Sequence, residues 1–247
     1  MLEKIFGFVL VLTRISALFL VLPVFSWRTI PVRIKAATAI ILAVFISTVT
    51  PIDLDYSQVS AVEAFLLMFN EAAYGLALGL IAFFLFSVVK LSGKFIERQM
   101  GFAMASILDP LTGENSQPLS SLLEMIFIII FLSANGHHMF LLIISRSYEA
   151  FPAGSTPTID VLTGGVIEAG AMMFLAALRL AVPVFAAFLL LIVILGVLAR
   201  IVPEMNILFI SLPARVGLGL IMVITFLPYV NGFVSEFAEL MGKLLPL

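Results

Sequence analysis

A chain of 247 residues that is 62% hydrophobic and 11% charged has too little polar surface for a soluble globular protein, in which about 45–50% and about 25% are usual. We therefore expect an integral membrane protein, residues 1–247 forming one domain with room for about six spans. The formal net charge of −2 excludes a basic surface for nucleic acid, and the lack of cysteine excludes disulfides, thiolate metal sites and cysteine catalysis.

Six apolar runs follow one another along the chain, and each is expected to be helical. They cover about residues 5–26, 36–51, 62–89, 122–145, 166–198 and 205–234. The first run contains Arg14 and lacks both a basic start and a small-residue cleavage site, so it is interpreted as a retained helix rather than a signal peptide. Pro183 and Pro228 fall inside later runs, where kinks are expected. The predicted fold class is an all-α membrane protein of about six unequal, partly kinked helices.

The basic residues between the runs predict the orientation in the membrane. Segments 27–35, 90–98 and 199–204 hold seven of the thirteen Lys and Arg residues, whereas segment 52–61 holds only two aspartates. Alternating spans place these three basic segments on one side, which the positive-inside rule identifies as the cytoplasm. Both termini are therefore expected on the outer side.

Four charged residues lie well away from the ends of the apolar runs: Arg14, Glu71, Arg179 and Arg215. An ionised side chain near the centre of a bilayer costs about 2.5–3.5 kcal/mol on insertion scales unless it finds a partner or water. A proton relay and a set of structural charge pairs are both compatible with this pattern. We favour pairing within the protein or at subunit contacts, because arginine does not release its proton and the set has a single acid.

Two shorter patterns concern packing and chemistry. Gly75 and Gly79 lie one turn apart on one helix face, which predicts a close helix–helix seam with an unspecified partner. His137 and His138 are adjacent, so their side chains point about 100° apart, and they are interpreted as a polar edge rather than a metal site. No grouping of nucleophile, base and orienting residue is present, so neither an enzyme nor a cofactor is expected.

The stretch GFAMASILDPLTGENSQP, the 101–118 segment, is too broken to span a bilayer, yet its first half is too apolar for an ordinary loop. The helix before it has a cationic face of Lys90, Lys94 and Arg98. Irregular backbone at membrane depth is tolerated only where protein buries it or water lines it, so we predict a constriction or lid in a protein-lined pathway. An extramembrane connector is the alternative. The candidate constriction residues are Met100, Gly101, Phe102, Met104, Ile107, Asp109, Pro110 and Gly113.

Several stretches resemble, in order and spacing, the FliR family of flagellar export-gate subunits, whose injectisome counterparts are called SctT. They are RISALFLVLPVFSWRTIPVRIKAA, EAAYGLALG, GKFIERQMGFAMASILDP, NGHHMFLLIISRSYEAFPAG and GVLARIVPEMNILFISLPARVGLGL. The most specific parts are QMGFAMASILDP and ARIVPEMNILFISLP. The second contains a predicted cytoplasmic turn with candidate contact residues Arg200, Pro203, Glu204 and Asn206, of which Glu204 departs from the glutamine more usual in the family.

The resemblance implies that one such subunit joins five FliP-like and several FliQ-like copies in a helical cone in the bacterial inner membrane, at the flagellar basal body. Residues 1–165 would be the FliP-like part and residues 166–247 a FliQ-like helical hairpin, with FlhA-like and FlhB-like proteins as further partners. The 101–118 segment would plug the channel through which unfolded flagellar proteins pass. An injectisome subunit, a small-solute secondary transporter and a scaffold without a pore are the alternatives.

Overall fold

The computed structural model describes residues 2–23, 30–49, 60–102, 117–155, 159–204 and 206–244. Within these ranges the chain is all-helical, which confirms the expected all-α class. The helices are α1 (Leu2–Val21), α2 (Val32–Val49), α3 (Ala61–Met100), α4 (Pro118–Ser133), α5 (Gly136–Ala150), α6 (Ile159–Ile201) and α7 (Ile207–Leu244).

The fourth apolar run, expected as one helical stretch over residues 122–145, is divided into α4 and α5. Asn135 adopts the left-handed conformation, with φ 59° and ψ 26°, and asparagine is one of the few residues other than glycine that visits this region routinely. Gly136 follows directly and is buried so closely against the ring of Phe131 that a Cβ would collide with it. The break is a bend of 74° between α4 and α5, and it depends on these two residues.

Two helices among the described residues are long and apolar enough to cross a bilayer, α3 and the Leu162–Ile201 part of α6. A third span results if α4 and α5 count as one broken span. These are fewer than the six spans that the apolar runs allow. Both α6, which contains Pro183, and α7, which contains Pro213 and Pro228, continue as single α-helices through their prolines.

The contacts divide the chain into two compact units, and the boundaries between them fall inside helices. The first unit takes in the chain up to Phe86, Phe131–Met172 and the residues from Glu236 onward. Its core includes an aromatic cluster in which the ring of Phe86 lies 4.9 Å from that of Phe131 and 5.8 Å from that of Phe140. In this unit α1 packs against α2.

The second unit consists of Ser87–Ile130 and Met173–Ser235. Fully buried side chains in its core include Ile96, Met100, Leu123, Phe127 and Phe188. Each unit combines residues from before and after position 166. The division into a FliP-like part and a FliQ-like hairpin near that position stays a prediction.

Candidate functional site

The start of the 101–118 segment lies where α3 ends in the second unit. Met100 is the last helical residue, is 1% exposed, and packs so closely on Gly219 of α7 that a Cβ there would collide with its side chain. Gly101 has a φ of 87°, a left-handed conformation that glycine adopts without steric cost, and its N–H donates to the Arg98 carbonyl at 3.3 Å. A Cβ on Gly101 would lie 3.6 Å from Leu212 Cδ2. The chain therefore leaves α3 at a point fixed against α7.

The end of the segment lies where α4 begins with Pro118, in the same unit. The first N–H groups of a helix have no partner within the helix, and proline at the first position has no N–H to satisfy. Here the Oε1 atom of Glu97, on α3, accepts hydrogen bonds from the N–H groups of Leu119 and of Ser120, the latter at 3.1 Å. Glu97 is 5% exposed. A side chain from a different helix thus caps α4.

Two further contacts hold the last turns of α3 against the first turns of α4. Gly93 lies so close to α4 that a Cβ would come within 2.8 Å of Ser120 Cα. Lys90 Nζ forms an ion pair with Glu124 Oε2 at 2.8 Å, and both side chains retain contact with solvent. Since Lys90, Gly93 and Glu97 share one face of α3, the two ends of the 101–118 segment are held side by side.

The structure describes some of the predicted constriction residues. Met100 is buried within the second unit, and Gly101 and Phe102 are half-buried. The others lie in residues 103–116, outside the described residues: Met104, Ile107, Asp109, Pro110 and Gly113. That these residues face a channel stays a prediction.

The first unit contains a buried ion pair between two of the predicted intramembrane charges. The guanidinium of Arg14 on α1 meets the carboxylate of Glu71 on α3 through Nε–Oε2 at 2.6 Å and Nη2–Oε1 at 3.1 Å. Arg14 is 2% exposed and Glu71 is 1% exposed. Two hydrogen bonds therefore join the guanidinium to the carboxylate, and both groups are removed from water. This bidentate geometry makes an arginine–carboxylate pair both stronger and more specific in its orientation.

The remaining hydrogen-bonding groups of this pair are also occupied. Arg14 Nη1 donates to the Ser147 carbonyl at 3.2 Å, and Nη2 donates to the Phe151 carbonyl at 3.1 Å. The Gly154 N–H donates to Glu71 Oε1 at 2.8 Å. Because the pair is satisfied by protein groups on every side, it has the geometry of a structural tie rather than of a proton relay.

Two tyrosine rings enclose the guanidinium of Arg14. Its Cζ atom lies 4.5 Å from the ring centroid of Tyr74 and 4.0 Å from that of Tyr148. An arginine over an aromatic face gains electrostatic attraction, and the gain is larger where water is excluded. The cluster of Arg14, Glu71, Tyr74 and Tyr148, with the backbone of residues 147–154, is called the Arg14 cluster below.

The other two predicted charges lie in the second unit and are not part of the Arg14 cluster. Arg179 is exposed on α6. Arg215 is half-buried on α7, and its Nε atom is enclosed without a hydrogen-bond partner among the described residues. Whether these two arginines pair with neighbouring subunits stays a prediction.

The predicted seam at Gly75 and Gly79 has α1 as its partner. A Cβ at Gly75 would collide with the backbone carbonyl oxygen of Arg14, and one at Gly79 would lie 3.0 Å from the Leu18 carbonyl oxygen. Glycine lets the two backbones approach to this distance. The seam therefore places the backbone of Arg14 in contact with α3, close to Glu71.

The predicted cytoplasmic turn joins α6 to α7. Arg200, Pro203, Glu204 and Asn206 are all exposed. The N–H of Val202 donates to the Leu198 carbonyl at 3.0 Å, which extends the end of α6. Contacts of this turn with neighbouring subunits stay a prediction.

Sequence reasoning missed Glu97, Gly93 and Gly219, which fix the ends of the 101–118 segment. A weak signal for Glu97 exists, since it is the one acid in the basic stretch 90–98. A second signal is Pro118, a helix-starting residue preceded by Gln117 rather than by a usual cap such as Ser, Asp or Asn. Neither signal identifies which distant residue supplies the cap.

Comparisons with known proteins match nearly the whole chain. The family model described as bacterial export proteins, family 1, matches residues 5–241. The chain is 34% identical over 226 residues to the flagellar biosynthetic protein FliR of Bacillus subtilis, covering 88% of this chain and 85% of that protein. It is 28% identical over 234 residues to the flagellar biosynthetic protein FliR of Escherichia coli, covering 94% and 89%. It is also 26% identical over 226 residues to the Yop proteins translocation protein T of Yersinia pestis, covering 89% and 85%.

Proposed function

The chain belongs to the family of bacterial export proteins, family 1, and from this premise we propose that it is a subunit of the flagellar type III export gate in the bacterial inner membrane. The observation that carries the proposal is the family match over residues 5–241. Relatives named for flagellar biosynthesis at 34% and 28% identity favour a flagellar machine. Its role is conduction of unfolded proteins without chemistry.

An injectisome is the second candidate, favoured by the likeness to the Yop proteins translocation protein T. The two candidates share the mechanism and differ in the proteins exported. Expression of this chain in a flagellated host that lacks its own family member separates the two candidates. A flagellar subunit should restore motility, whereas an injectisome subunit should not, because it would have to assemble with flagellar partners.

The proposed assembly contains one copy of this chain, five FliP-like and several FliQ-like subunits, in contact with FlhA-like and FlhB-like proteins. The exposure of α6 supports it. Among its most apolar 18 residues only 22% are buried, against 61% for α3, so most of this helix offers its surface to lipid or to other subunits. Stoichiometry in a complex isolated in mild detergent tests the assembly, and a small homo-oligomer of this chain alone would contradict it.

In the proposed gate the 101–118 segment plugs the channel. The ends of the segment support this role, since Met100 and Gly101 pack against α7 and the first turn of α4, after Pro118, is bonded to α3. An apolar constriction of Met, Phe and Ile side chains blocks ions by excluding water.

Deletion of residues 110–116 tests the plug. We expect the complex to assemble at normal levels, because the contacts that fix the two ends of the segment lie outside the deletion, and resting membranes to become permeable to small ions. Membrane potential and growth rate measure the leak. Unchanged ion permeability in a fully assembled complex would exclude the plug and favour an extramembrane connector.

A further inference from the structure

A groove lies between the end of α1 and the start of α2, two helices of the first unit that pack against each other. Its volume is about 310 Å³, and its apolar lining consists of Phe19, Leu20, Val32, Ala36 and Ala39. Leu20 is 76% exposed and Val32 is 78% exposed, so the groove opens at the surface of the unit among apolar side chains. In a membrane protein such a surface meets lipid or another subunit.

The size of the groove limits what fills it. Ligand sites in proteins have volumes of about 300–1,000 Å³, so this groove is large enough for part of a small molecule. One turn of an α-helix, about 5.4 Å long and 10–12 Å across, occupies about 420–610 Å³ and is too large. An unbranched hydrocarbon chain fits the narrow apolar space, whereas a neighbouring helix reaches it only with its side chains.

Lys35 is the charged residue in the lining of the groove, and it is half-buried. The other polar lining residue, Ser16, already donates its hydroxyl to the Thr13 carbonyl at 3.0 Å. Lys35 forms no ion pair with any of the described residues. The sequence has no acidic residue between Glu3 and Asp53, and Glu3 precedes Ser16 by thirteen positions in α1, which is about 20 Å. The ammonium group is therefore available to an anion from outside the two helices.

A second groove of the first unit has no such group. It lies between α3 and α6, has a volume of about 390 Å³, and is lined by apolar side chains and Thr163. A hydrocarbon chain fits there equally well, but nothing in the lining attracts a charge. Lys35 is thus what gives the α1–α2 groove a preference for one class of ligand.

The position of Lys35 in the chain places its charge near the membrane surface. It ends the basic segment 27–35, which the distribution of charge predicts to lie on the cytoplasmic side. The cytoplasmic leaflet contains anionic phospholipids, and basic pockets between membrane helices on this side bind their headgroups. An apolar groove with an ammonium group in its lining matches both parts of such a lipid.

We propose that the α1–α2 groove binds a membrane phospholipid with a net negative charge. One acyl chain lies along Phe19, Ala36 and Ala39, and the phosphate accepts a hydrogen bond from Lys35 Nζ. A zwitterionic phospholipid carries its own cationic group, which competes with Lys35 for the phosphate, so the site favours an anionic headgroup. The site is separate from the proposed export function and does not depend on it.

Photo-crosslinking of the complete complex in mild detergent tests the site. The probes are phosphatidylglycerol and phosphatidylcholine with the same photoactivatable acyl chain, and mass spectrometry measures the adducts within residues 16–39. Lys35→Gln removes the charge, and Arg33→Gln is its matched control, because Arg33 is exposed and does not line the groove. Ala36→Phe fills the groove, and Ala37→Phe is its matched control, because Ala37 is also exposed but does not line the groove.

We expect phosphatidylglycerol to label the parent about five-fold more than phosphatidylcholine, which corresponds to the attraction of one lysine to an anionic membrane surface. Lys35→Gln should bring the two yields together, and Ala36→Phe should lower both yields several-fold. The two control variants should label like the parent.

Three results would overturn the proposal. Equal labelling of the parent by the two lipids would show that the groove does not select charge, and an equal loss of selectivity in Arg33→Gln would show diffuse attraction to a basic surface. No labelling of an intact complex would show that the groove is not a lipid site, and loss of a subunit from the Lys35→Gln variant would then identify a protein as its occupant. If Ala36→Phe does not accumulate, the comparison of Lys35→Gln with Arg33→Gln still decides the outcome.

Discussion

Arg14 lies in the interior of the first unit with its guanidinium between two tyrosine rings and its charge met by Glu71. A buried ion pair of this kind adds little net stability compared with well-packed apolar residues, because desolvation of both ions offsets most of their attraction. Removal of only one of the two ions has a much larger effect on stability. The remaining ion stays buried without a partner, which strongly destabilises the fold.

The Glu71→Ala variant is expected to lower the free energy of unfolding by about 3–5 kcal/mol, since it leaves the Arg14 guanidinium buried and uncompensated. We expect the chain to disappear from membranes and the complex to be lost before any change in transport is seen. Membrane abundance by immunoblot measures this. Glu124→Ala is the matched control, because its partly exposed ion pair contributes roughly zero to 1 kcal/mol.

The Glu71→Gln variant addresses the relay hypothesis. Glutamine keeps the shape and an acceptor oxygen but cannot carry a proton or a charge. A structural tie predicts reduced assembly in this variant. Normal assembly combined with a selective loss of proton-coupled export would instead support the relay and contradict the tie.

At the scale of the elements, α1 and α3 meet along a line that two glycines make possible. The Gly75 contact and the Glu71 contact are one turn apart on α3, and both involve Arg14. Close backbone packing thus places the guanidinium within bonding distance of the carboxylate. The packing of the helices and the pairing of the charges are one feature of the structure.

The Gly75→Ala variant is expected to destabilise the first unit, because the added Cβ collides with a backbone carbonyl oxygen that no side-chain rotation can move. The cost is about 1–3 kcal/mol or more, and it is measured as a fall in the thermal stability of the detergent-solubilised complex. Gly164→Ala in α6 is the control, since no atom lies within 4 Å of its Cβ position. Alanine at an open helical position favours the helix by roughly 0.5–1 kcal/mol. Equal stability of the two variants would contradict the seam.

Local patterns in the sequence were sufficient for some of these elements and insufficient for others. The pairing tendency of Arg14 and Glu71 and the seam at Gly75 follow from the cost of charge and the spacing of small residues. The break at Asn135 was missed, because the run over residues 122–145 was interpreted as continuous and the Asn135-Gly136 pair, a dipeptide typical of turns, was interpreted as part of a polar edge. The Glu97 cap was missed because the bond between residues 97 and 119 depends on how α3 and α4 pack. The spacing of apolar residues along the sequence does not predict that packing.

At the scale of the whole molecule, the distribution of Lys and Arg residues predicts the orientation of the chain in the membrane. The basic segments predict that Arg28, which lies outside the described residues, Lys94 and Arg200 face the cytoplasm and that both termini lie on the outer side. Arg200 is exposed in the turn between α6 and α7 and is therefore open to reagents. The chain contains no cysteine, so single cysteines introduced at these positions are the only reactive thiols it offers.

Labelling of single cysteines at positions 28, 94 and 200 with an impermeant maleimide is expected in inverted vesicles and not in intact spheroplasts. A cysteine at the N-terminus should give the opposite pattern. Modification of position 28 or position 200 from the periplasmic side alone would reverse the predicted orientation.

The Arg14 cluster also has a consequence for the order of events during synthesis. Arg14 is bonded to residues 57, 133 and 137 positions later in the chain. At about 5–20 residues per second, a ribosome that has just added Arg14 needs about 3–11 s to reach Glu71 and about 7–27 s to reach Phe151. Throughout this interval the first helix carries an arginine that the bilayer disfavours and no partner yet satisfies. We therefore expect the helix that is made first to be among the last to settle, held near the insertion machinery or the membrane surface until its distant partners have been translated.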